Sequence, residues 1–321
     1  MPMEPRTAAR KHRQEIWPAF YVLGFFLLTG ALFSLLLRKP FNLYVLGLIG
    51  LSVMSGFLIY AGAPRKKKDR GRKISLALVG LGLFLGAGIF GRESFQIEGF
   101  FFFVLAGVSG GPVVHYLTAK LVGPFFIGRG WCSWGCWTWM VLDYLPYKRS
   151  SGWRYGLTWI RYAHFSLSLG SVLVLWFLFG YRHGFEWATT DGLYWFGLGN
   201  LLYFATGIAL TFVLKDNRAF CKYVCPITVF LKAGSRFSLL RVTGDKDNCN
   251  ACGACDKLCP MSIPVSMYIL AGRPVTDSEC VLCQTCISSC PQCCVELGLG
   301  WRGGGKPLQR TRVSSPPESI R

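Results

Sequence analysis

Long apolar runs separated by short basic stretches fill the first two thirds of the chain. Residues 17–37 form the first run, of the length a helix needs to cross the hydrocarbon core of a bilayer. Arg38, Lys39 and Pro40 end it, 41–63 form a second, and a third runs from about 74 to 91. Residues 99–128 are apolar for about thirty positions, more than a straight crossing needs. Gly110-Gly111-Pro112 and Pro124 interrupt them, which predicts a broken or tilted helix to about 121 and then a short re-entrant or interfacial piece. Residues 157–181 and 193–214 are the fifth and sixth expected spans, and beyond 215 the chain is polar enough to leave the membrane. Residues 1–16 are polar and basic, with Arg6, Arg10, Lys11 and Arg13. A cleaved signal peptide has a shorter apolar core and a small-residue cleavage site, so the first run reads as a retained helix. Residues 301–321, rich in Gly, Pro, Ser and Arg, are expected to be a disordered tail.

Composition agrees with this pattern. Of 321 residues 52% are apolar and 16% charged, too greasy for an ordinary soluble domain. A net charge of +19 raises the question of nucleic acid. The basic residues lie between apolar runs rather than on one amphipathic face, and no base-reading motif accompanies them, so membrane topology explains them and no nucleic-acid partner is expected. With the N-terminus in the cytoplasm, RKKKDRGRK (65–73), 129–156 and everything beyond 215 are cytoplasmic too. The opposite side receives only Arg38, Lys39, Arg92 and Arg182, a partition that obeys the positive-inside rule with six spans.

The fourteen cysteines carry the chemistry. Cys249 to Pro260 reads CNACGACDKLCP and Cys280 to Pro291 reads CVLCQTCISSCP, each a C-x2-C-x2-C-x3-C-P run. This spacing wraps three thiolates around one face of an iron–sulfur cube, and in the two-cluster arrangement the fourth cysteine serves the other cluster. Cys249, Cys252, Cys255 and Cys290 are therefore expected to hold one [4Fe–4S] cluster, and Cys280, Cys283, Cys286 and Cys259 a second. Paired tetrahedral zinc sites are the alternative, but they use C-x2-C knuckles without a third cysteine following at once. A disulfide scaffold does not suit a chain built around membrane spans. The reducing cytoplasm assigned by the charges is where such thiolates belong.

A second cysteine pattern repeats at the membrane border. RGWCSWGC (129–136) and RAFCKYVC (218–225) align at an offset of 89 residues, pairing Arg129 with Arg218, Trp131 with Phe220, Cys132 with Cys221, Trp134 with Tyr223 and Cys136 with Cys225. Each follows a span that descends to the cytoplasm, which suggests parallel repeats around an axis along the membrane normal. C-x3-C puts two thiols on one face if the segment is helical. Cys132, Cys136, Cys221 and Cys225 together would offer four thiolates, the complement of a further iron–sulfur cluster. A thiol/disulfide relay, a soft-metal site, or simply buried inert cysteines remain open. Pro226 breaks any helix at Cys225, whereas Trp137 in the first copy leaves a continuous helix open to it.

Other residues carry weaker signals. His115 and His164 lie in the fourth and fifth expected spans, where a quinone contact, a haem ligand or a structural hydrogen bond would each suit. Trp131, Trp134, Trp137, Trp139, Trp153 and Trp159 crowd the cytoplasmic boundary as an aromatic belt would. Arg129 and Arg218 fit either a buried anion or interfacial snorkelling. Cys293 and Cys294 read as spare thiols, with Cys293 a substitute ligand.

Taken together, these motifs resemble the NapH/MauN group of ferredoxin-type membrane proteins and the polyferredoxin portions of the NosR and CcoG families. WCSWGCW and FCKYVCP stand at the family's paired C-x3-C-P positions, and the ferredoxin cysteines match one for one over about residues 75–295. Trp137 replaces the family proline, and 17–63 add two spans. The expected fold is an α-helical integral membrane protein of about six transmembrane helices with a C-terminal α+β bacterial 2[4Fe–4S] ferredoxin-like domain. Its expected parts are a basic N-terminus (1–16), a membrane domain (17–240), a ferredoxin domain (243–297) and the tail. The resemblance implies electron transfer in a bacterial cytoplasmic (inner) membrane, between cytoplasmic clusters and a redox partner protein or quinol. A maturation factor that reduces a metal or disulfide, or a redox-sensing regulator, are the alternatives. No nucleotide loop or acid–base constellation supports a stand-alone enzyme.

Overall fold

The apolar runs become helices because a dry environment leaves each backbone N–H and C=O to be satisfied within its own segment. In the computed structural model, which describes residues 5–38, 40–64, 67–108, 111–181 and 190–299, α1 (Pro5–Leu37) and α2 (Phe41–Gly62) form a hairpin. α3 (Asp69–Leu81) returns against it and continues as a π-helix over Gly82–Phe90. Small residues allow the close approach. A Cβ on Gly71 would stand 2.3 Å from the Gly56 carbonyl oxygen, so the α2 and α3 backbones touch there.

The fourth apolar run is not one helix. It is built from α4 (Ile97–Leu105), α5 (Gly111–Tyr116), a π-helical turn (Leu117–Val122) and α6 (Gly123–Ile127). Gly107, in the left-handed region at φ 68°, and Pro112, without an N–H, separate α4 from α5. Two short helices follow, α7 (Gly130–Trp134) and α8 (Trp137–Leu142). The long helices α9 (Ile160–Phe177) and α10 (Thr190–Leu214) lead to α11 (Ala219–Tyr223) and α12 (Thr228–Ser235). Five stretches among the described residues are long and apolar enough to cross a membrane: Ile16–Leu37, Asn42–Gly62, Asp69–Phe90, Tyr155–Phe177 and Thr190–Leu214. Leu28, Leu35, Leu201 and Val213 stand exposed on them, as lipid-facing side chains do.

β1 (Leu240–Gly244) pairs antiparallel with β2 (Val295–Leu299), Leu240 opposite Leu299 and Gly244 opposite Val295. Between the strands lie α13 (Ala254–Lys257), α14 (Val265–Leu270) and α15 (Thr285–Ser289). This cysteine-rich module has its own buried apolar side chains, among them Met261, Ile263, Tyr268, Ile269 and Leu297. It is sewn to the membrane half by Leu239 N–H donating to the Phe125 carbonyl at 2.9 Å and Tyr60 O–H to the Gln284 carbonyl at 3.0 Å. The expected tail at 301–321 and the side chains of the basic N-terminus lie outside the described residues.

Candidate functional site

The two cysteine-rich runs adopt the same backbone thirty-one residues apart. Ala251 and Leu282 are left-handed (φ 54° and 50°), as are Gly253 and Gln284 (68° and 62°) and Ser262 and Cys293 (54° and 55°). Left-handed non-glycine residues each cost about 1–3 kcal/mol, so their recurrence at matching places marks a shape both runs must take. Such turns gather backbone N–H groups into anion-accepting concavities. A cavity lies within the module, walled by Cys259, Cys280, Cys283 and Cys286 together with apolar side chains such as Val242, Ile263 and Val275. Three of its thiols come from the second run and the fourth from the first. Among the described residues no group of three or more Cys, His, Asp or Glu side chains is arranged to hold a metal ion as it stands. Soft sulfur donors around a cavity with apolar walls fit a multi-iron cluster. Burial pushes the Cys259 thiol up to about 11 and raises Cys280 and Cys286 as well, so these sulfurs are held as thiols until a metal displaces their protons.

The other four run cysteines lie nearer water. Cys252 is exposed, Cys249 half-buried, and Cys255 and Cys290 buried. The extra thiol beside them is Cys294, whose Sγ stands 3.4 Å from that of Cys290. Cys293, nominated from sequence, turns toward the surface instead.

The membrane-border repeat is real in the backbone, but neither copy is a continuous helix. Cys132 sits in α7 and Cys221 in α11, while Cys136 is extended (φ −81°, ψ 119°) and Cys225 follows the end of α11. In both copies the chain turns at the equivalent place: Gly135 N–H bonds the Trp131 carbonyl at 3.0 Å and Val224 N–H the Phe220 carbonyl at 2.9 Å. Trp137 therefore does not prolong the helix that Pro226 ends. Gly135 is wedged against Val79 and Trp131, and Trp137 donates its indole N–H to Asn200 Oδ1 at 2.7 Å, which fixes the turn without proline. The four thiols lie close enough for their charges to act on one another. Burial raises Cys132 and Cys221 and lifts Cys225 to about 12, with the charges of Cys132 and Cys136 adding to the rise at Cys225.

Buried charges surround this group. Arg129 pairs with Glu279, which also accepts from Arg161 at 2.8 Å and lies 3.0 Å from Lys232. Burial alone would raise the Glu279 carboxyl, but the three cations outweigh it and hold it at about 2. Arg218 pairs with Asp143, which also binds Arg72 at 2.8 Å, and stacks 3.5 Å over Trp139. Neither arginine snorkels. Lys222, between Cys221 and Cys225, is fully buried and reaches Asp216 at 2.7 Å and Ser262 Oγ, three residues past Cys259, at 3.1 Å. Nε and Nη2 of both Arg129 and Arg161 are buried without a hydrogen-bond partner. Arg129, whose charge acts on Cys132 and Cys225, thus keeps guanidinium donors for an anionic group beside the thiols.

The first repeat copy grips the second cysteine run residue by residue. Arg129 holds Glu279, Ser133 Oγ donates to the Val281 carbonyl at 2.5 Å, and Trp134 Nε1 donates to the Leu282 carbonyl at 3.0 Å. Cys280 and Cys283 lie inside that gripped segment. Ser133, Tyr60, Lys222 and Glu279 carry no signal of this role in sequence, because their partners are up to 224 positions away. Of the six tryptophans, Trp131, Trp134, Trp137 and Trp139 are buried around the motifs rather than belted at the interface, and Trp159 alone is well exposed. His164 bonds the Val224 carbonyl at 2.9 Å through Nδ1, a structural role beside Cys225. His115 is buried edge-on to Trp131, with ring centroids 4.9 Å apart.

Comparison with known proteins fits this geometry. A family described as a 4Fe-4S binding domain matches residues 117–154 and 196–242, one segment around each C-x3-C copy. YccM of Escherichia coli (strain K12) is 35% identical over 91 residues, 27% of this chain and 24% of that protein. The methylamine utilization ferredoxin-type protein MauN of Paracoccus denitrificans (strain Pd 1222) is 31% identical over 160 residues, 44% of this chain and 53% of MauN. The ferredoxin-type protein NapH of Escherichia coli (strain K12) is 26% identical over 115 residues, 35% of this chain and 39% of NapH. The chain thus spans from about a quarter to about half the length of these relatives. No solved structure matches it. In its motifs and over these matched segments, the chain is similar to the NapH/MauN-type ferredoxin proteins.

Proposed function

We propose that this chain is a membrane-bound electron-transfer protein with three iron–sulfur sites in a row. Cys249, Cys252, Cys255 and Cys290 hold a water-side [4Fe–4S] cluster, and Cys280, Cys283, Cys286 and Cys259 hold an inner one. Cys132, Cys136, Cys221 and Cys225 hold a third centre at the membrane border. Bound there, a cluster supplies reversible one-electron oxidation and reduction. The observation that carries the reading is the grip of Arg129, Ser133 and Trp134 on Glu279, Val281 and Leu282. It sets the ligand knuckle of the inner site directly against the segment that bears Cys132. Lys222 does the same from the second copy through Ser262, so both copies hold the inner site.

The chain's own residues divide the work. Arg129, Arg161 and Arg218 supply positive charge to a buried thiolate group that would otherwise be costly to ionise. The buried tryptophans exclude water from it. Exposed Cys252 leaves the outer site open to a soluble redox partner, while the border site faces a membrane partner or quinol.

Contacts also support six crossings with both ends on one side. Tyr60 at the end of α2 bonds Gln284, and Arg72 at the start of α3 binds Asp143, so that turn lies on the side of the cysteine-rich module. The stretch Asp69–Phe90 then leads away and is long enough to cross a bilayer. The pieces from Ile97 to Ile127 must bring the chain back to Arg129. That side is the cytoplasm by the lysine and arginine bias.

Anaerobic purification followed by dithionite reduction and EPR tests the reading. Interacting signals from more than one reduced cluster are expected. A zinc-loaded, EPR-silent protein would overturn it.

A further inference from the structure

The two halves of the cysteine-rich module share a backbone shape, which makes one of their chemical differences informative. At the offset of thirty-one residues, Cys294 stands where the inner half has Ile263. Ile263 occupies its place with an inert side chain while its N–H lies 3.4 Å from Cys259 Sγ. Cys294 puts a thiol there instead, 3.4 Å from Cys290 Sγ and beside Cys249. Its backbone is held in place. The left-handed turn at Cys293 swings that neighbour outward, and the Cys294 carbonyl accepts the Asp245 N–H at 2.8 Å next to the β1–β2 pair. Cys294 is buried, as is Cys290, so a spare sulfur is stored inside the water-side site and not in the inner one.

We propose that Cys294 is a replacement ligand for the outer cluster, taking the fourth position when Cys290 gives it up. The inference rests on the ligand sets given above. In the exchange the Cys294 thiol loses its proton and its sulfur bonds the iron. The Cys290–iron bond breaks, and Cys290 takes up a proton, with no electron transferred. A side-chain rotation spans the separation, and the strand pairing need not move. The outer site is the one with an exposed ligand, Cys252, where oxidants reach first and a reserve ligand has a use.

The test compares iron content and the reduced EPR spectrum of full-length Cys290→Ala, Cys294→Ala, the double variant and Cys259→Ala. Both outer single variants are expected to keep full iron, with Cys290→Ala showing altered g-values. The double variant is expected to lose about four iron atoms per chain. Cys259→Ala, whose site has Ile263 instead of a spare thiol, is expected to lose about four on its own. Loss of the four irons in Cys290→Ala alone, or their retention in the double variant, would overturn the inference. The inner-cluster signal in the double variant reports that the module still folds. Full iron in Cys259→Ala would instead count against the ligand sets themselves.

Discussion

Arg129 of the membrane half and Glu279 of the cysteine-rich module form a buried ion pair, Arg129 three residues before Cys132 and Glu279 immediately before Cys280. The repeat explains why the carboxylate comes from outside the membrane half. In the second copy Arg218 pairs with Asp143, and the position equivalent to Asp143 at the same offset of 89 is Lys232. A symmetric repeat would oppose Arg129 to a cation. Glu279 stands between Arg129 and Lys232 and resolves that conflict, so broken symmetry in the membrane half becomes a docking point.

Replacing Glu279 by Gln leaves buried Arg129 and Arg161 and half-buried Lys232 facing a neutral amide. Breaking a buried pair costs about 3–5 kcal/mol, so Glu279→Gln should lower the melting temperature in detergent and release iron from the inner site. The pH dependence has a definite sign. The folded carboxyl titrates at about 2, below the ordinary 4.5, so the unfolded state binds more protons between these values. The stabilisation is complete above about pH 4.5 and is lost as pH falls toward 2. The gap between wild type and variant should therefore narrow on acidification below pH 4.5, and a gap constant from pH 6 to 3 would contradict this.

Asp143→Asn should be as damaging as Glu279→Gln, because it strips Arg72 and Arg218 of their shared carboxylate at once. A loss of about 3–5 kcal/mol is expected, read as reduced thermal stability and yield of the purified protein. An unchanged melting curve would show that the two repeat copies are not locked through this residue.

Trp134→Phe keeps an aromatic ring near Phe57, on which the indole stacks with centroids 3.9 Å apart, but removes the N–H bonded to Leu282 together with part of the buried ring volume. Leaving that buried carbonyl unsatisfied costs about 1–3 kcal/mol. Chelator-driven iron loss from the inner site should quicken while the outer site, which makes no such contact, is unaffected. Equal acceleration at both sites would mean that the effect is general unfolding.

Gly71→Ala should separate α2 from α3, since the added methyl would meet the Gly56 carbonyl at 2.3 Å and the Tyr60 nitrogen at 2.5 Å. Gly62→Ala, with nothing within 4 Å, is the control and should be nearly neutral. Comparable melting curves for the two variants would argue against close packing of these helices.

Much of this molecule was legible in its sequence because the signals are local. Five apolar runs read as long helices, and the ligand spacing of Cys249–Cys259 and Cys280–Cys290 is carried within twelve residues each. The repeat around Cys132 and Cys221 was visible from identity of residue types at one offset. Its local shape was not. Helical spacing suggested one face for Cys132 and Cys136, but packing of Gly135 against Val79, contributed by a distant span, ends the helix first. The same holds for the tryptophans. Composition at a membrane border suggests a belt, and only the tertiary contacts show Trp134 stacked on Phe57 and bonded to Leu282. Cys293 and Cys294 were told apart by a single left-handed φ that sequence does not display.

The most direct measurement is iron per chain in the Cys132→Ser/Cys136→Ser and Cys221→Ser/Cys225→Ser variants, against wild type purified anaerobically. Three clusters give about twelve iron atoms, and either paired variant should fall to about eight. The two module signals should survive in EPR, because their ligands all lie beyond residue 248. The fully substituted protein should be no poorer in iron than either pair alone, since residues acting as one site are non-additive. About eight atoms in wild type, unchanged in both variants, would contradict a third centre at the membrane border.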